Sequence, residues 1–210
     1  MSRESILLVG AGGHARSCID VIEQEGRFVV GGLVGLPEEV GSHVLDYPVL
    51  GSDSDLPDLL PRFAQVLVTV GQIKSPEGRM KLHAILERQG CRLPVIVSPR
   101  AHLSGHAQVG AGTIIMHGAI VNAGARIGRN CIINSQALVE HDAVIGDHCH
   151  IATAAVINGD VSIGAGTFIG SNACVRQGIR VGERCVVGMG QLVLADCVVG
   201  ILQPAAKGIS

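Results

Sequence analysis

Aliphatic residues recur at every sixth position through the second half of the chain, from position 97 to position 199, without a miss. The eighteen positions are Val97, Leu103, Val109, Ile115, Val121, Ile127, Ile133, Val139, Ile145, Ile151, Ile157, Ile163, Ile169, Val175, Val181, Val187, Val193 and Val199. A period of six fits neither an amphipathic helix nor an alternating strand, so the hexad itself is the structural unit. The slot four positions later is mostly Ala, Thr or Cys. One large and one small residue per hexad predict a narrow prism of short parallel strands, with aliphatic side chains stacked inside.

Glycine or asparagine often follows the aliphatic residue directly. Six of these glycines are eighteen residues apart, which is three hexads: Gly110, Gly128, Gly146, Gly164, Gly182 and Gly200. Gly and Asn tolerate positive φ, so we expect these slots to form corners with positive φ. The three-hexad recurrence predicts a three-faced coil, which is a parallel β-helix about 27 Å tall at roughly 4.8 Å per coil.

The first 97 residues lack the hexad and show α/β signals instead. An apolar run at residues 5–9 leads into the glycine-rich segment 10–15, and a helical pattern follows over 16–25 and ends at Gly26. Strand, glycine-rich turn and helix make the first unit of a Rossmann-like domain, whose helix N-terminus is placed to hold a phosphate. The next strand, 28–34, lacks the acidic residue that grips a dinucleotide ribose. This disfavours NAD and favours a nucleotide or a sugar phosphate.

The rest of this part is less regular. A buried strand is predicted over 66–70, a helix from Pro76 to a stop at Gly90, and a last strand over 93–97. Residues 37–61 are interpreted as loop with short connecting elements, and no role is assigned to 72–78. The predicted domains are therefore 1–97, a Rossmann-like nucleotide-sugar domain, and 98–200, a β-helix, with a tail over 201–210.

Composition narrows the class of partner and the compartment. The formal net charge is −2, without long basic runs, which argues against nucleic acid. The seven cysteines are odd in number and include no Cys-x-x-Cys, and four occupy the small slot of the hexad, so they are interpreted as buried residues in a reducing compartment. There is no signal-like start and no run of eighteen apolar residues. We therefore expect a cytoplasmic protein without a membrane span.

The sharpest break in the repeat is Glu140-His141-Asp142, three polar residues in corner slots. An imidazole beside carboxylates has the parts of a general base, although a solvated turn explains the same residues. Gly159 lies one full coil beyond His141 and would bring a backbone N–H near the imidazole as an oxyanion donor. His150 is half a coil from His141, on another face. The two histidines could then meet only between subunits.

These residues and several further motifs resemble one family, the left-handed β-helix sugar acetyltransferases with an N-terminal Rossmann-like domain. This branch includes UDP-4-amino-sugar N-acetyltransferases and sialic acid O-acetyltransferases. The resemblance covers essentially the whole chain. Its motifs are Gly10-Ala11-Gly12-Gly13-His14, Asn134-Ser135, Glu140-His141-Asp142, Ile145-Gly146-Asp147 with His150, and Gly200 followed by Pro204-Ala205-Ala206-Lys207.

The resemblance implies an acetyl-CoA-dependent enzyme that works as a homotrimer, without a metal. His141 matches the catalytic base and Asp142 the acidic neighbour that raises its basicity. The Gly159 N–H, placed by the spacing of one coil, is the third expected catalytic group. The residues implied for acetyl-CoA are His150, Ser171, Gly188, Met189 and Gly190. The residues implied for the nucleotide-sugar are Gly12, Gly13, His14 and Gly71. Arg176, Arg180 and Arg184 either meet the CoA phosphates or form solvated corners.

The chain departs from the family after the second strand. Family members often carry an Asp-Asp pair where the uridine binds, and here Val34 and Gly35 take that place, which leaves the nucleotide open. N-acetylation of a nucleotide-linked amino sugar is the leading hypothesis, and O-acetylation of a sialic acid type sugar is the nearest alternative. A carbonic-anhydrase-like zinc enzyme and a non-catalytic trimeric scaffold are the alternatives from other classes.

Overall fold

The computed structural model describes residues 3–198 together with the backbone of 201–202. Predictions that involve Val199, Gly200 or the Pro-Ala-Ala-Lys tail lie outside the described residues. The first part of the chain contains, in order, β1 (Glu4–Val9), α1 (Gly13–Glu25), β2 (Phe28–Gly35), β3 (His43–Val44), β4 (Tyr47–Ser52), α2 (Leu56–Leu59), β5 (Gln65–Val68) and α3 (Glu77–Arg88). Short 3-10 turns span Pro37–Glu39, Asp53–Asp55 and Leu60–Arg62.

These strands form one sheet in the order β3-β4-β2-β1-β5. All neighbours are parallel except the edge pair of β3 and β4. Helix α1 begins after the glycine-rich turn and ends at Gly26, whose φ of 73° allows a left-handed cap bonded to the Ile22 carbonyl. The predicted strand, turn and helix at the start of this α/β unit are therefore confirmed.

Two expectations for this part were wrong. Residues 37–61 contain β4, a full strand of the sheet, in addition to the expected short elements. Residues 93–97 do not supply a last strand of the first domain, because Ile96–Val97 pairs with Ile114–Ile115 of the coil. The contact with the first sheet comes just before this segment, where Arg92 forms an isolated parallel bridge with Gln65.

The repeat folds into a three-faced parallel β-helix, as predicted. The domain-side face, which packs against the first domain, consists of Ile96–Val97, Ile114–Ile115, Ile132–Ile133, His150–Ile151, Phe168–Ile169, Val186–Val187 and Ile201–Leu202. The apolar face consists of His102–Leu103, Ile120–Val121, Leu138–Val139, Val156–Ile157, Cys174–Val175 and Leu192–Val193. The polar face consists of Gln108–Val109, Arg126–Ile127, Val144–Ile145, Ser162–Ile163 and Arg180–Val181. Paired residues are eighteen apart, for example Leu138 and Val156, except at the last strand, where Val186 pairs with Ile201.

The hexad positions pack inside the prism as expected, with one difference at the corners. The aliphatic ladder and the small residues between its members form a single buried core, in which Val139, Cys149 and Ala155 are fully buried. Positive φ, however, lies two residues after the predicted slot, at every sixth residue from Gly112 to Gly190, with values between 51° and 77°.

The glycines in the predicted slot allow successive coils to lie close together. A Cβ built on Gly128 would stand 2.6 Å from the amide nitrogen of Asp147 in the next coil, and one on Gly164 would stand 2.5 Å from that of Glu183. Neither position has positive φ. Glycine is required here because the neighbouring coil fills the place of a side chain.

An apolar cluster joins the two parts of the chain. Helix α1 lies between the first sheet and the domain-side face, where Ile19 and Ile22 belong to the same buried cluster as Ile96, Ile114 and Ile132. The first domain is therefore fixed to one face of the prism, and the outward residues of the other two faces are the ones left to solvent or to other chains.

We predict that Gly164→Ala destabilises the coil, because its Cβ would stand against the backbone of residues 182 and 183. Overpacking of this kind costs about 1–3 kcal/mol, measured as a lower urea midpoint. Gly105→Ala is the matched control, since a Cβ there meets nothing within 4 Å. Equal midpoints for the two variants would show that coil spacing does not require the glycine.

Candidate active site

One cavity of about 510 Å³ lies at the carboxyl ends of β1, β2 and β5. It is lined by all six residues predicted to contact the substrate, Gly12, Gly13, His14, Val34, Gly35 and Gly71. In open parallel sheets ligands bind at this edge, where the loops after neighbouring strands meet. The fold thus brings these residues together, and their role in binding stays a prediction.

The glycine-rich turn leaves the N-terminus of α1 open toward this cavity. Gly12 and Gly13 are exposed, a Cβ on either would meet nothing within 4 Å, and the first turn of α1 has no acidic residue. Gly10 has a φ of 124° and its N–H donates to the Val34 carbonyl at 2.8 Å, which fixes the turn against β2. Exposed N–H groups at a helix N-terminus are suited to an anion such as a phosphate.

His14 reaches from the cavity toward the coil, where it meets His150. The two ring centroids are 6.3 Å apart, and the His150 ring also lies edge-on to Phe168 at 5.2 Å. His150 Nδ1 donates to the Gln72 carbonyl at 2.7 Å, and its Nε2 accepts from Asn134 Nδ2 at 3.1 Å. His150, which the sequence placed on a different face from His141, is therefore buried against the first domain of its own chain.

Both of these histidines are neutral at physiological pH. Burial, together with the neighbouring His150 and Arg79, lowers the pKa of His14 to about 3. Burial also lowers the pKa of His150 to about 4, although the hydrogen bond to Gln72 acts in the opposite direction. The Nε2 atom of His14 is buried without a hydrogen-bond partner among the described residues.

His141 and Asp142 form a pair on an exposed corner between the apolar and polar faces. His141 Nδ1 lies 3.0 Å from Asp142 Oδ2, so Nδ1 carries the proton and Nε2 is left to accept one. The pKa of His141 is raised by this hydrogen bond and by the charges of Asp142, Glu140 and Asp160. The carboxylates thus make the imidazole a stronger base.

Two glycines, each one coil away, make room for this pair. A Cβ on Gly159 would stand 2.7 Å from both Cε1 and Nε2 of His141, so the ring lies over Gly159. A Cβ on Gly124 would stand 2.3 Å from Oδ1 of Asp142. No hydrogen bond to the Gly159 N–H is found within residues 3–198. The expected juxtaposition of His141 and Gly159 is therefore present, and the oxyanion role of the N–H stays a prediction.

The residues expected to line the acetyl-CoA channel lie on a different corner, between the domain-side and apolar faces. Ser171 and Met189 are one coil apart there, and the Gly190 N–H donates to the Ser171 carbonyl at 2.8 Å. Gly188 directly precedes Met189, and Met189 is 72% exposed. Within one chain this corner and the His141 corner are separated by the full width of the apolar face.

The three arginines considered for the CoA phosphates do not share a corner. Arg180 projects from the polar face, and Arg184 lies at the corner beside the first domain, where it bonds Glu77 at 3.2 Å. Arg176 follows the apolar strand Cys174–Val175 and so belongs to the same column of corners as His141. Of the three arginines, only Arg176 shares the column of corners that carries the candidate base, two coils further along.

Sequence reasoning missed residues that connect the first domain to the coil. Gln72, in the segment without an assigned role, is 3% exposed and donates through Nε2 to the Gly166 carbonyl at 2.9 Å. Arg79, which is 2% exposed, donates to the Val70 carbonyl and to Asn130. No spacing rule links α3 or its preceding loop to a given coil, so the sequence held no signal for these contacts.

A serine–histidine–aspartate chain elsewhere is structural. His117 lies 2.6 Å from Ser98 Oγ and 2.7 Å from Asp20 Oδ2, which resembles the arrangement of a nucleophile with its base. Ser98, however, is 1% exposed and also accepts a hydrogen bond from the Arg100 N–H. These hydrogen bonds from Ser98 through His117 to Asp20 therefore fasten α1 to the coil.

Over residues 3–198 and 201–202, no group of three or more His, Cys, Asp and Glu side chains is arranged to hold a metal ion. Within the same residues no helix is both long and apolar enough to cross a membrane.

Family comparisons match both parts of the chain. Residues 5–81 match the PglD N-terminal domain. Residues 106–141 and 124–159 match the bacterial transferase hexapeptide (six repeats), and residues 160–195 match the hexapeptide repeat of succinyl-transferase. A search of curated proteins gave no match.

Several solved structures share the whole architecture. PerB from Caulobacter crescentus, in complex with CoA and GDP-perosamine, is 31% identical with a TM-score of 0.87, over 95% of each chain. A histidine-to-asparagine variant of perosamine N-acetyltransferase from the same organism was solved with the same two ligands, at 30% identity and a TM-score of 0.87 over 95% of this chain and 92% of that one. The acetyltransferase domain of PglB from Neisseria gonorrhoeae, with acetyl coenzyme A, is 29% identical with a TM-score of 0.85 over 93% of each chain.

The fold and site define a hexapeptide-repeat protein of the transferase class, with an α/β domain in front of the coil. The chain belongs to the family of left-handed β-helix sugar acetyltransferases that carry a PglD-type N-terminal domain.

We predict that His141 titrates above the ordinary histidine pKa of about 6.5, because the carboxylates around it stabilise the imidazolium. In an NMR titration, Asp142→Asn should move the His141 midpoint to lower pH, and Glu183→Gln, on another corner, should leave it unchanged. His14 and His150 should remain neutral between pH 5 and 8. A His141 midpoint that is the same in wild type and Asp142→Asn would contradict the pairing.

Proposed function

We propose that this protein transfers the acetyl group of acetyl-CoA to the amino group of a nucleotide-linked amino sugar. The observation that carries the proposal is the exposed His141–Asp142 pair, with a free Nε2, in a chain whose first domain holds a cavity for an anionic ligand. The similarity to PerB and PglB supports the same donor and acceptor classes, since those proteins were solved with CoA and GDP-perosamine or with acetyl coenzyme A. Residues 1–97 hold the nucleotide-linked sugar, and residues 98–200 carry the chemistry.

In this mechanism His141 Nε2 accepts a proton from the sugar amine as its nitrogen attacks the thioester carbonyl. A C–N bond forms, the C–S bond breaks, and CoA leaves as the thiol after taking up the proton. Asp142 holds the imidazole in the required tautomer and stabilises the imidazolium that forms. The Gly159 N–H stabilises the oxyanion, which is consistent with its lack of a partner among the described residues.

The acceptor atom is an amine in this proposal. The perosamine enzyme is an N-acetyltransferase, and it supports this choice over a sugar hydroxyl. An assay of CoA release against amino sugars linked to UDP, GDP, CDP or dTDP, together with free sialic acids, distinguishes the two. Release only with free sialic acids would replace the N-acetyltransferase proposal with O-acetylation.

The proposed assembly is a cyclic homotrimer in the cytoplasm. Four of the six outward residues of the apolar face are aliphatic: Ile120 is 40% and Leu192 67% exposed, and Leu138 and Val156 are half-buried. A continuous apolar stripe on an otherwise polar coil is typical of a protein interface. Cysteine in the small slots of the core fits a reducing compartment.

The position of His141 supports a site shared between chains. In a three-sided prism the corner between the apolar and polar faces lies opposite the domain-side face. The base is therefore far from the cavity of its own chain, and a neighbour packed through the apolar face would bring a second cavity to it. In a head-to-tail ring each chain would give its base to one neighbour.

We expect His141→Ala to lower kcat by about 10²- to 10⁴-fold, the usual contribution of a general base, while CoA and nucleotide-sugar still bind. Gly159→Ala should lose most activity as well, because its Cβ displaces the exposed ring. Gly105→Ala, with no neighbour within 4 Å, is the control and should retain full activity. Turnover by His141→Ala at the wild-type rate would exclude His141 as the base.

For the assembly, we expect Val156→Asp to dissociate the trimer, because it buries a charge at the centre of the apolar face. Val144→Asp is the matched control on the polar face, where Val144 is 37% exposed, and should leave the trimer intact. Light scattering coupled to size-exclusion chromatography measures the mass. A wild-type monomer, or a trimer unaffected by Val156→Asp, would contradict an interface on this face.

A further inference from the structure

Glu39 brings a carboxylate to the end of β2, although no acidic residue ends that strand. The 3-10 turn Pro37–Glu39 folds back, and Glu39 Oε2 accepts a hydrogen bond from the Leu36 N–H at 2.8 Å. A Cβ on Gly35 would stand 2.6 Å from the same oxygen. The carboxylate therefore occupies the space that a side chain at position 35 would fill, and Gly35 is what admits it.

This carboxylate lies beside the glycine-rich turn and faces the same cavity. The Cβ position of residue 35 is also 2.9 Å from Ala11 Cβ, so Glu39 and the turn lie on two sides of Gly35. Glu39 and Ala11 both line the cavity. Glu39 makes no salt bridge with any residue in the described ranges, and its Oε1 receives no hydrogen bond from them.

The electrostatic character of the cavity lining consequently changes along the edge of the sheet. The open N–H groups at the start of α1 follow β1, Glu39 follows β2, and Asp53 follows β4, the next strand outward. A phosphate is stabilised at the first position and repelled at the other two. A ligand that lies across these strand ends must therefore present neutral hydrogen-bond donors to Glu39.

We infer that Glu39 accepts hydrogen bonds from the ribose hydroxyls of the nucleotide. It does so from a turn, four residues beyond Gly35 at the end of β2. A carboxylate is an acceptor that can hold two hydroxyl donors, and an acid at the end of the second strand of a Rossmann-like sheet has this role for dinucleotides. The inference rests on the proposed function in one respect, namely that a nucleotide occupies this cavity. It makes the site specific for ribonucleotides with unmodified hydroxyls.

The test compares UDP, GDP and CDP with their 2′,3′-dideoxy analogues by isothermal titration calorimetry. Wild type should bind at least one ribonucleotide about 10- to 100-fold more tightly than its dideoxy analogue, as expected for hydrogen bonds to a charged group. Glu39→Gln should bring the two affinities within about threefold of each other, mainly by weakening the ribonucleotide. Glu38→Gln, on the exposed neighbour outside the cavity, is the control and should keep the wild-type ratio.

The ratio separates contact from structural support. If Glu39 only held the turn, Glu39→Gln would weaken the ribonucleotide and its dideoxy analogue equally, and the inference would be wrong. Loss of the ratio in Asp53→Asn instead would assign the ribose to Asp53 and also overturn it. If wild type binds none of the three ribonucleotides, both this inference and the nucleotide role of the first domain fail. An unchanged ratio with intact binding contradicts this inference alone.

Discussion

The structure depends on the backbone hydrogen bonds between successive coils. In the central coils the N–H groups of His150 and Ala152 donate to the carbonyls of Thr167 and Ile169, and the same pattern repeats on every face. This ladder fixes the register at eighteen residues and holds the coils so close that glycine is required where corners stack. Each corner residue is therefore positioned by residues one coil above and below it.

The candidate catalytic pair follows from this stacking. His141 and Asp142 stand on a corner because Gly159 above and Gly124 below leave the volume that their side chains occupy. Asn122, also one coil away from Glu140, donates to that carboxylate at 2.9 Å. The geometry of the pair is thus built by the neighbouring coils, and a side chain at either glycine would disturb it without any contact with substrate.

The sequence predicted the faces and the catalytic corner because both follow from counting in steps of eighteen. The prediction failed at the glycines, because glycine is selected both by positive φ and by a lack of space for a side chain. Gly128 and Gly164 were interpreted as positive-φ residues, but glycine there meets a lack of space, and positive φ falls on residues such as Asn130 and Asp142. Composition does not separate these demands. The distinction needs the distance to the next coil.

Contacts between the two parts of the chain were beyond prediction for a different reason. The hydrogen bond from His150 to the Gln72 carbonyl joins residues 78 apart, and neither belongs to the other's repeat. An acidic residue was sought at the end of β2, whereas the carboxylate that lines the cavity there, Glu39, comes from the turn beyond that strand. Both features depend on how a loop folds back, which hydrophobic periodicity does not encode.

Beside its apolar cluster, the joint between the two parts has a buried polar component that is sensitive to acid. The Arg79 guanidinium donates hydrogen bonds to the backbone carbonyls of Val70 and Asn130 and to the side-chain oxygen of Asn130. Burial lowers the pKa of Arg79 only to about 10, so the side chain stays charged at neutral pH. His14 and His150 are neutral in the fold, and their folded pKa values lie below the unfolded value of about 6.5. Their contribution to stability is therefore complete above that value and is lost as the pH falls toward 4.

The buried joint matters because the candidate base lies elsewhere. The first domain is fixed to the domain-side face, and His141 stands at the opposite corner of the prism, so no motion of the joint within one chain can bring the cavity to the base. In the proposed trimer, the contact between chains would set the distance from the cavity of one chain to His141 of the next. Because the first domain is fixed on its own coil, that distance would depend only on how two prisms pack. Closure of the proposed ring would then give the same distance at every site.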